Sequence, residues 1–314
     1  MFGQAVGDAL GTTVEFSDPW SIAARDGSDG WPGVIVGKGP FQVAAGQVTD
    51  DTELALSLAR CLAHQGRYDD DAVARAYQAW RRSGPWDCGA ATHQAFGASD
   101  ELFALAQQAG VGSLSAYLRG RASKKTQANG SLMRSSPLGV YGHRLPRLEL
   151  AQLAARDSTL SHPHEVCQAA CAVYVTTLAD AVANQLDGAA LFERALAFAR
   201  EHTLTQPIVD TLEAARAMPP VFDDERQGWV RIAFQYAFFS LLHAQDFEQG
   251  MTTVVLGGGD TDTNGAITGA LLGARFGVEA IPLRWRDAVT GCVPDRPAAF
   301  HCNDLAALAD QLVG

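Results

Sequence analysis

The stretch Val255–Ala274, VLGGGDTDTNGAITGALLGA, sets three glycines and the carboxylates of Asp260 and Asp262 directly ahead of a helix-forming run. In that run Ile267, Leu271 and Ala274 share one face, so the segment reads as an amphipathic helix rather than a strand. An ordinary loop does not need so many oxygens. Val48–Ala59, VTDDTELALSLA, repeats the arrangement, with Asp50 and Asp51 between Thr49 and Thr52 at the start of another helix. In the second stretch Asp50 reads as an N-cap and Glu53 as its capping-box partner. That leaves Asp51 and Thr49 without a task.

Helical spacing continues outward from these two segments. Val73, Tyr77 and Trp80 align over residues 71–82, and Gly84-Pro85 predicts the stop. The runs at 164–183, 188–202 and 226–244 repeat the pattern, and the last is apolar enough around Phe234–Leu242 to cross a core. Tyr236, Phe238 and Phe239 are therefore expected inside. Only WPGVIVGKGPFQV, residues 31–43, suggests a strand. The expectation is an all-α protein, a single compact multi-helix domain over 1–314.

A net charge of −11 argues against nucleic acid as the main partner, which would require clustered Lys and Arg. The opening MFGQAVGDALG shows no basic leader followed by a long apolar run, so no signal peptide is expected, and no apolar run is expected to reach the roughly 20 residues of a membrane span. The six cysteines form no CxxC pair, which predicts reduced thiols and a cytoplasmic protein, with no membrane partner. SHPHEVCQAAC offers His162, His164, Cys167 and Cys171, but at no common zinc spacing; packed cysteines and a capping Ser161 fit better.

Two carboxylates at each of two helix N-termini exceed what a helix dipole can stabilise. If the termini face one another, the charges must be protonated or neutralised, and neither motif contains Lys or Arg. Oxygen ligands of this kind suit hard divalent cations, Mg²⁺ or Mn²⁺.

Five ordered motifs resemble one family: GDALGTTVEF (7–16), VTDDTELAL (48–56), SGPWDCGAAT (83–92), NGSLMRSSPLG (129–139) and GGDTDTNGAITGALLGA (258–274). Together they are similar to the ADP-ribosylglycohydrolase family, and most of all to its bacterial dinitrogenase reductase-activating branch. The resemblance runs from about Gly3 to Gly277. It implies an all-α fold with two divalent cations, Mg²⁺ or Mn²⁺, that removes ADP-ribose from modified proteins. Carried across, it implies Thr49, Asp50 and Asp51 as metal ligands from one side and Asp260, Asp262 and Thr263 from the other.

The resemblance also implies Asp87 as the catalytic group beside the attacking water and Glu15 near the substrate ribose. Asn129, Gly130 and Ser131 would contact the pyrophosphate and its ribose, and His162 would touch the ligand. Asp8 caps or pins the first helices, and Cys88 is a bystander. The expected partners are an ADP-ribosylated protein, most of all one modified on arginine, and ADP-ribose itself, with the chain a monomer. Two rivals are a non-catalytic ADP-ribose reader and a dinuclear-metal phosphohydrolase cutting the pyrophosphate.

Overall fold

Two helices meet along their backbones. In a computed structural model that describes residues 1–184, 186–202 and 205–314, helix Phe2–Gly11 lies antiparallel against helix Thr261–Phe276. Gly3 faces Gly269, Gly7 faces Gly265, and Gly11 faces Thr261. A Cβ added at Gly7 would stand 2.0 Å from the Gly265 carbonyl oxygen, so only glycine permits this approach. Thr261 Oγ1 closes the seam by donating to the Gly11 carbonyl at 2.7 Å.

The remaining helices pack around this pair, and no strand forms among the described residues. Helix Glu165–Ala183 runs alongside, and its Tyr174 hydroxyl donates to the Ile267 carbonyl at 2.8 Å. Contrary to the sequence expectation, this 19-residue helix is long and apolar enough, by length and composition alone, to cross a membrane. Here 78% of its 18-residue apolar window is buried in the protein interior, as in the core helix of a globular fold. Helix Val230–His243 buries Phe234, Tyr236 and Phe238, as expected of a core-crossing segment. Phe239 is only partly buried and packs on His243. The aligned face of Val73, Tyr77 and Trp80 is fully buried on helix Asp70–Arg82.

Two local expectations are corrected. Residues 31–43 form turns instead of a strand, because Gly37, Lys38, Gly39 and Gln42 all have positive φ; one bridge, Lys38 to Val43, remains. Trp31 anchors that loop, its indole N–H donating to the Leu10 carbonyl at 3.0 Å. The cap of helix Asp50–Gln65 is Thr49 and not Asp50, with the Thr49 hydroxyl accepting from the Asp51 N–H.

Nor is there a capping box with Glu53. Asp8, reaching over from the first helix, accepts the N–H groups of both Thr49 and Thr52 at 3.1 Å, the two bonds such a box would make. This bears out the expectation that Asp8 pins the first helices. Glu53 is released for a buried ion pair with Arg296 at 2.7 Å and also accepts from the Trp80 indole. Arg296 in turn donates to the Ser83 carbonyl and hydroxyl, fixing the loop that leads to Asp87.

The glycine seam predicts that Gly7→Ala destabilises the fold by about 3 kcal/mol or more, because a backbone contact cannot yield as a side chain can. Gly112→Ala, placed in open space, should stay within about 0.5 kcal/mol of the parent. Denaturant unfolding of the two variants checks this, and equal stabilities would contradict the seam.

Candidate active site

The seam sets the N-terminus of helix Thr261–Phe276 beside that of helix Asp50–Gln65, and a cleft of about 230 Å³ opens over both. Glu15, Asp50, Asp87, Asp260, Asp262 and Thr263 all line it. The two aspartate motifs touch directly: Thr263 Oγ1 donates to Asp51 Oδ2 at 3.2 Å, and Thr49 Oγ1 donates to the same oxygen at 3.0 Å. Thr49 and Asp51 lie behind the cleft wall, fully buried. One oxygen each from Glu15, Asp87 and Asp262 falls within 4.8 Å of the others.

Burial and mutual repulsion raise several carboxyls of this cluster. Burial, and then the charges of Asp260, Asp87, Asp50 and Asp8, push the Glu15 carboxyl up to about 9. Asp50 is raised well above the usual carboxylate range by burial and by Asp87, and Asp51 by burial and Asp50. Asp262 is raised by burial and by Glu15 and Asp51, and Asp87 by burial and Asp260. Asp8 rises to about 7 through burial, although its bonds to Thr49 and Thr52 pull it the other way.

The donor set fits divalent cations on two observations. Among the described residues no lysine or arginine lines the cleft, and among them two buried carboxylate oxygens, Glu15 Oε2 and Asp51 Oδ1, find no hydrogen-bond partner. A buried acceptor without a partner carries its full desolvation cost. Hard all-oxygen surroundings of this kind match Mg²⁺ or Mn²⁺ rather than zinc.

The opposite wall is the 129–134 loop. Asn129 Nδ2 donates to Asp260 Oδ2 at 2.7 Å, linking the loop to the carboxylates. Gly130 packs under His162 and Thr92; a Cβ there would lie 2.9 Å from His162 Cε1 and 3.0 Å from Thr92 Oγ1. Among the described residues, the Gly130 and Ser131 N–H groups meet no backbone carbonyl. The Ser131 side chain points away from the cleft, its hydroxyl accepting from Ser158 at 2.9 Å; Ser131 is fully buried and does not line the cleft, whereas Asn129 and Gly130 do.

Beneath the loop lies Arg134, fully buried, which sequence reading passed over although it lies within the 129–139 motif. It donates to the Gly130 carbonyl at 3.1 Å, to Ser161 Oγ at 2.6 Å and to Asp157 Oδ2 at 3.1 Å, and stacks 4.7 Å from the Tyr77 ring. Ser161 Oγ shares a hydrogen bond with His162 Nδ1 at 2.8 Å. Burial and Arg134 lower His162 to about 3, so it stays neutral. Ser161 therefore orients His162 and does not cap a helix. His164 is the cap of the next helix, its Nδ1 accepting from the Val166 N–H. Asp157 gave no signal in the sequence, since nothing near it marks it as a partner for a distant arginine.

Comparison with known proteins follows the same lines. The ADP-ribosylglycohydrolase family's sequence model matches residues 1–314. The chain belongs to the ADP-ribosylglycohydrolase family. It is 29% identical to the ADP-ribosyl-[dinitrogen reductase] glycohydrolase of Rhodospirillum rubrum, over 90% of this chain and 86% of that protein. It is 27% identical to the ADP-ribosylarginine hydrolase Tri1 of Pseudomonas putida, over 99% of this chain and 79% of that one. A solved ADP-ribosylglycohydrolase-related protein complex superposes with a TM-score of 0.71 at 29% identity, covering 99% of this chain and 94% of the solved one. Family membership makes the chain an ADP-ribosyl glycohydrolase, and the cleft is the place in its fold suited to that work.

The charge of the cluster sets a pH prediction. Carboxyls raised by folding hold protons that the unfolded chain has released. Their stability contribution is full at low pH and is lost as pH rises through about 7 for Asp8 and about 9 for Glu15. In the presence of chelator, the melting temperature should fall by about 5 °C or more between about pH 6 and pH 9. A profile that is flat or rising over that window contradicts this account of the charges.

Proposed function

We propose that the chain is a divalent-metal-dependent hydrolase that cleaves the N-glycosidic bond between ADP-ribose and a protein side chain, most of all arginine. The observation that carries this reading is the convergence of the two aspartate motifs on one cleft, joined through Thr263 and Asp51. Thr49, Asp50 and Asp51 would hold cations from one side, and Asp260, Asp262 and Thr263 from the other. Bound there, two divalent cations would neutralise the cluster and fix the hydroxyls of the ribose that is cut.

The residues of the chain do the rest. The N–H group of Gly130, which lines the cleft and meets no backbone carbonyl, suits a pyrophosphate oxygen. Asn129 and a neutral His162 border the same wall and complete the grip on ADP-ribose. Cleavage builds positive charge on the ribose ring, and a fixed field of carboxylates favours that charge before it forms. Asp87 orients the attacking water and takes its proton, while Glu15 faces the same ribose. Breaking the C–N bond of the charged guanidinium releases a neutral guanidine, and the proton that Asp87 took from the water returns this leaving group to its cationic form.

Incubation with a protein ADP-ribosylated on arginine should release free ADP-ribose. EDTA should abolish the release, and Mg²⁺ or Mn²⁺ should restore it. Asp87→Asn should slow single-turnover release by a factor of about 10² to 10⁴, while calorimetric affinity for ADP-ribose changes by less than about threefold. AMP as product would indicate a phosphohydrolase, and binding without turnover would indicate a reader. Full activity in persistent chelator would end the metal-dependent reading.

A further inference from the structure

Three aromatic rings that pack on one another, beginning with Phe16 in the cleft lining, have no task in the reading above. Phe16 directly follows Glu15, and Trp86 directly precedes Asp87. Phe41, carried by the 31–43 loop, bridges them: its ring centroid lies 6.4 Å from that of Phe16, edge-on, and 4.9 Å from that of Trp86. The rings thus form one continuous rim running from the neighbour of one cleft carboxylate to the neighbour of the other. Phe16 itself lines the cleft.

This rim is costly to maintain. Phe16 is 54% exposed and Phe41 38% exposed, and adjoining exposed rings in a soluble protein point to something that covers them. Phe16 also holds φ at +62°, a left-handed conformation unusual for a bulky side chain. Its N–H donates to the Gly259 carbonyl at 2.7 Å, and the Gly259 N–H returns to the Ser17 carbonyl at 2.9 Å, locking it there. Strain of this kind persists only where the surroundings over-determine it, commonly at a ligand site.

Charge identifies the ligand. The faces of aromatic rings attract cations, and the carboxylates beside these rings reinforce that preference. Elsewhere in the chain arginines occupy such faces, as Arg134 does over Tyr77 and Arg226 over Trp229, each at 4.7 Å. Among the described residues no arginine lies over Phe16, Phe41 or Trp86, and no lysine or arginine lines the cleft. The cation that suits this rim must come from outside the chain. A guanidinium is planar, weakly hydrated and always charged, and it stacks on rings where a neutral hydroxyl-linked side chain gains nothing comparable.

We propose that Phe16, Phe41 and Trp86 form a seat for the guanidinium of the modified arginine and so set the linkage preference of the enzyme. The proposal rests on the arginine reading given above. The rival ligand for a set of rings is the adenine of ADP-ribose, and the two make opposite predictions for free ADP-ribose.

The test uses the full chain carrying Asp87→Asn to slow turnover, with Mg²⁺ present. Affinities are measured for ADP-ribosylated arginine methyl ester and for free ADP-ribose. Adding Trp86→Leu keeps apolar bulk but removes the ring, and should weaken the arginine-linked ligand about 10-fold and free ADP-ribose less than about twofold. Trp86→Phe should recover most of the loss, and Phe41→Leu should resemble Trp86→Leu. Thermal melts that match across the variants exclude a folding defect. Equal weakening of both ligands would assign the rings to adenine and overturn the proposal, as would no weakening of either. The arginine reading fails separately, if the unsubstituted chain cleaves serine-linked but not arginine-linked ADP-ribose.

Discussion

The contact of two glycine-faced helices, Phe2–Gly11 and Thr261–Phe276, is the constraint on which the site depends. A seam with no side chains between the backbones fixes axial position as well as distance, because each glycine has its own opposite number. Gly11 must meet Thr261, so the end of the first helix lies beside the start of the other, and Glu15 is delivered next to Asp260 and Asp262. Asp8, one turn back on the first helix, then captures the start of helix Asp50–Gln65 through Thr49 and Thr52. Three chain segments remote in sequence are thus brought to one point by one packing interface and one cap.

The fold treats its buried charges in two ways. Arg134 with Asp157 and Arg296 with Glu53 are paired and surrounded by further hydrogen bonds, which is the arrangement that makes burial tolerable. Both pairs sit behind the cleft and hold its walls: Arg134 supports the 129–131 loop, and Arg296 ties down the approach to Asp87. Among the described residues, the carboxylates that face the cleft receive no such cationic partner. Their shared repulsion is relieved by protons in the free protein, and in the proposed enzyme by cations and a positively charged transition state. Stability is concentrated around the site so that the site itself can remain electrostatically unbalanced.

Helix positions were legible in the sequence because each depends on a local period. The buried face of Val73, Tyr77 and Trp80 needs nothing but spacing to be read. The two aspartate motifs were legible for a different reason, the excess of like charge over what two helix ends can use. What escaped was everything set by partners far along the chain. Thr49 displaced Asp50 as the cap because Asp8 supplies acceptors from another helix, and Glu53 was drawn away by Arg296. The 31–43 segment has strand-like composition, but positive φ at Gly37, Lys38, Gly39 and Gln42 coils it into the support for Phe41. Ser131 resembled a ligand contact until Ser158 and the helix behind it turned its hydroxyl inward.

The central claim is that the two aspartate motifs are halves of one cation site. Crystals grown with Mn²⁺ and measured for anomalous scattering near the manganese edge test it most directly. The account predicts two adjacent peaks, between the carboxylates of Asp50 and Asp51 on one side and Asp260 and Asp262 on the other, both absent after soaking in EDTA. Manganese bound elsewhere, or no peak between those helix ends, would contradict it.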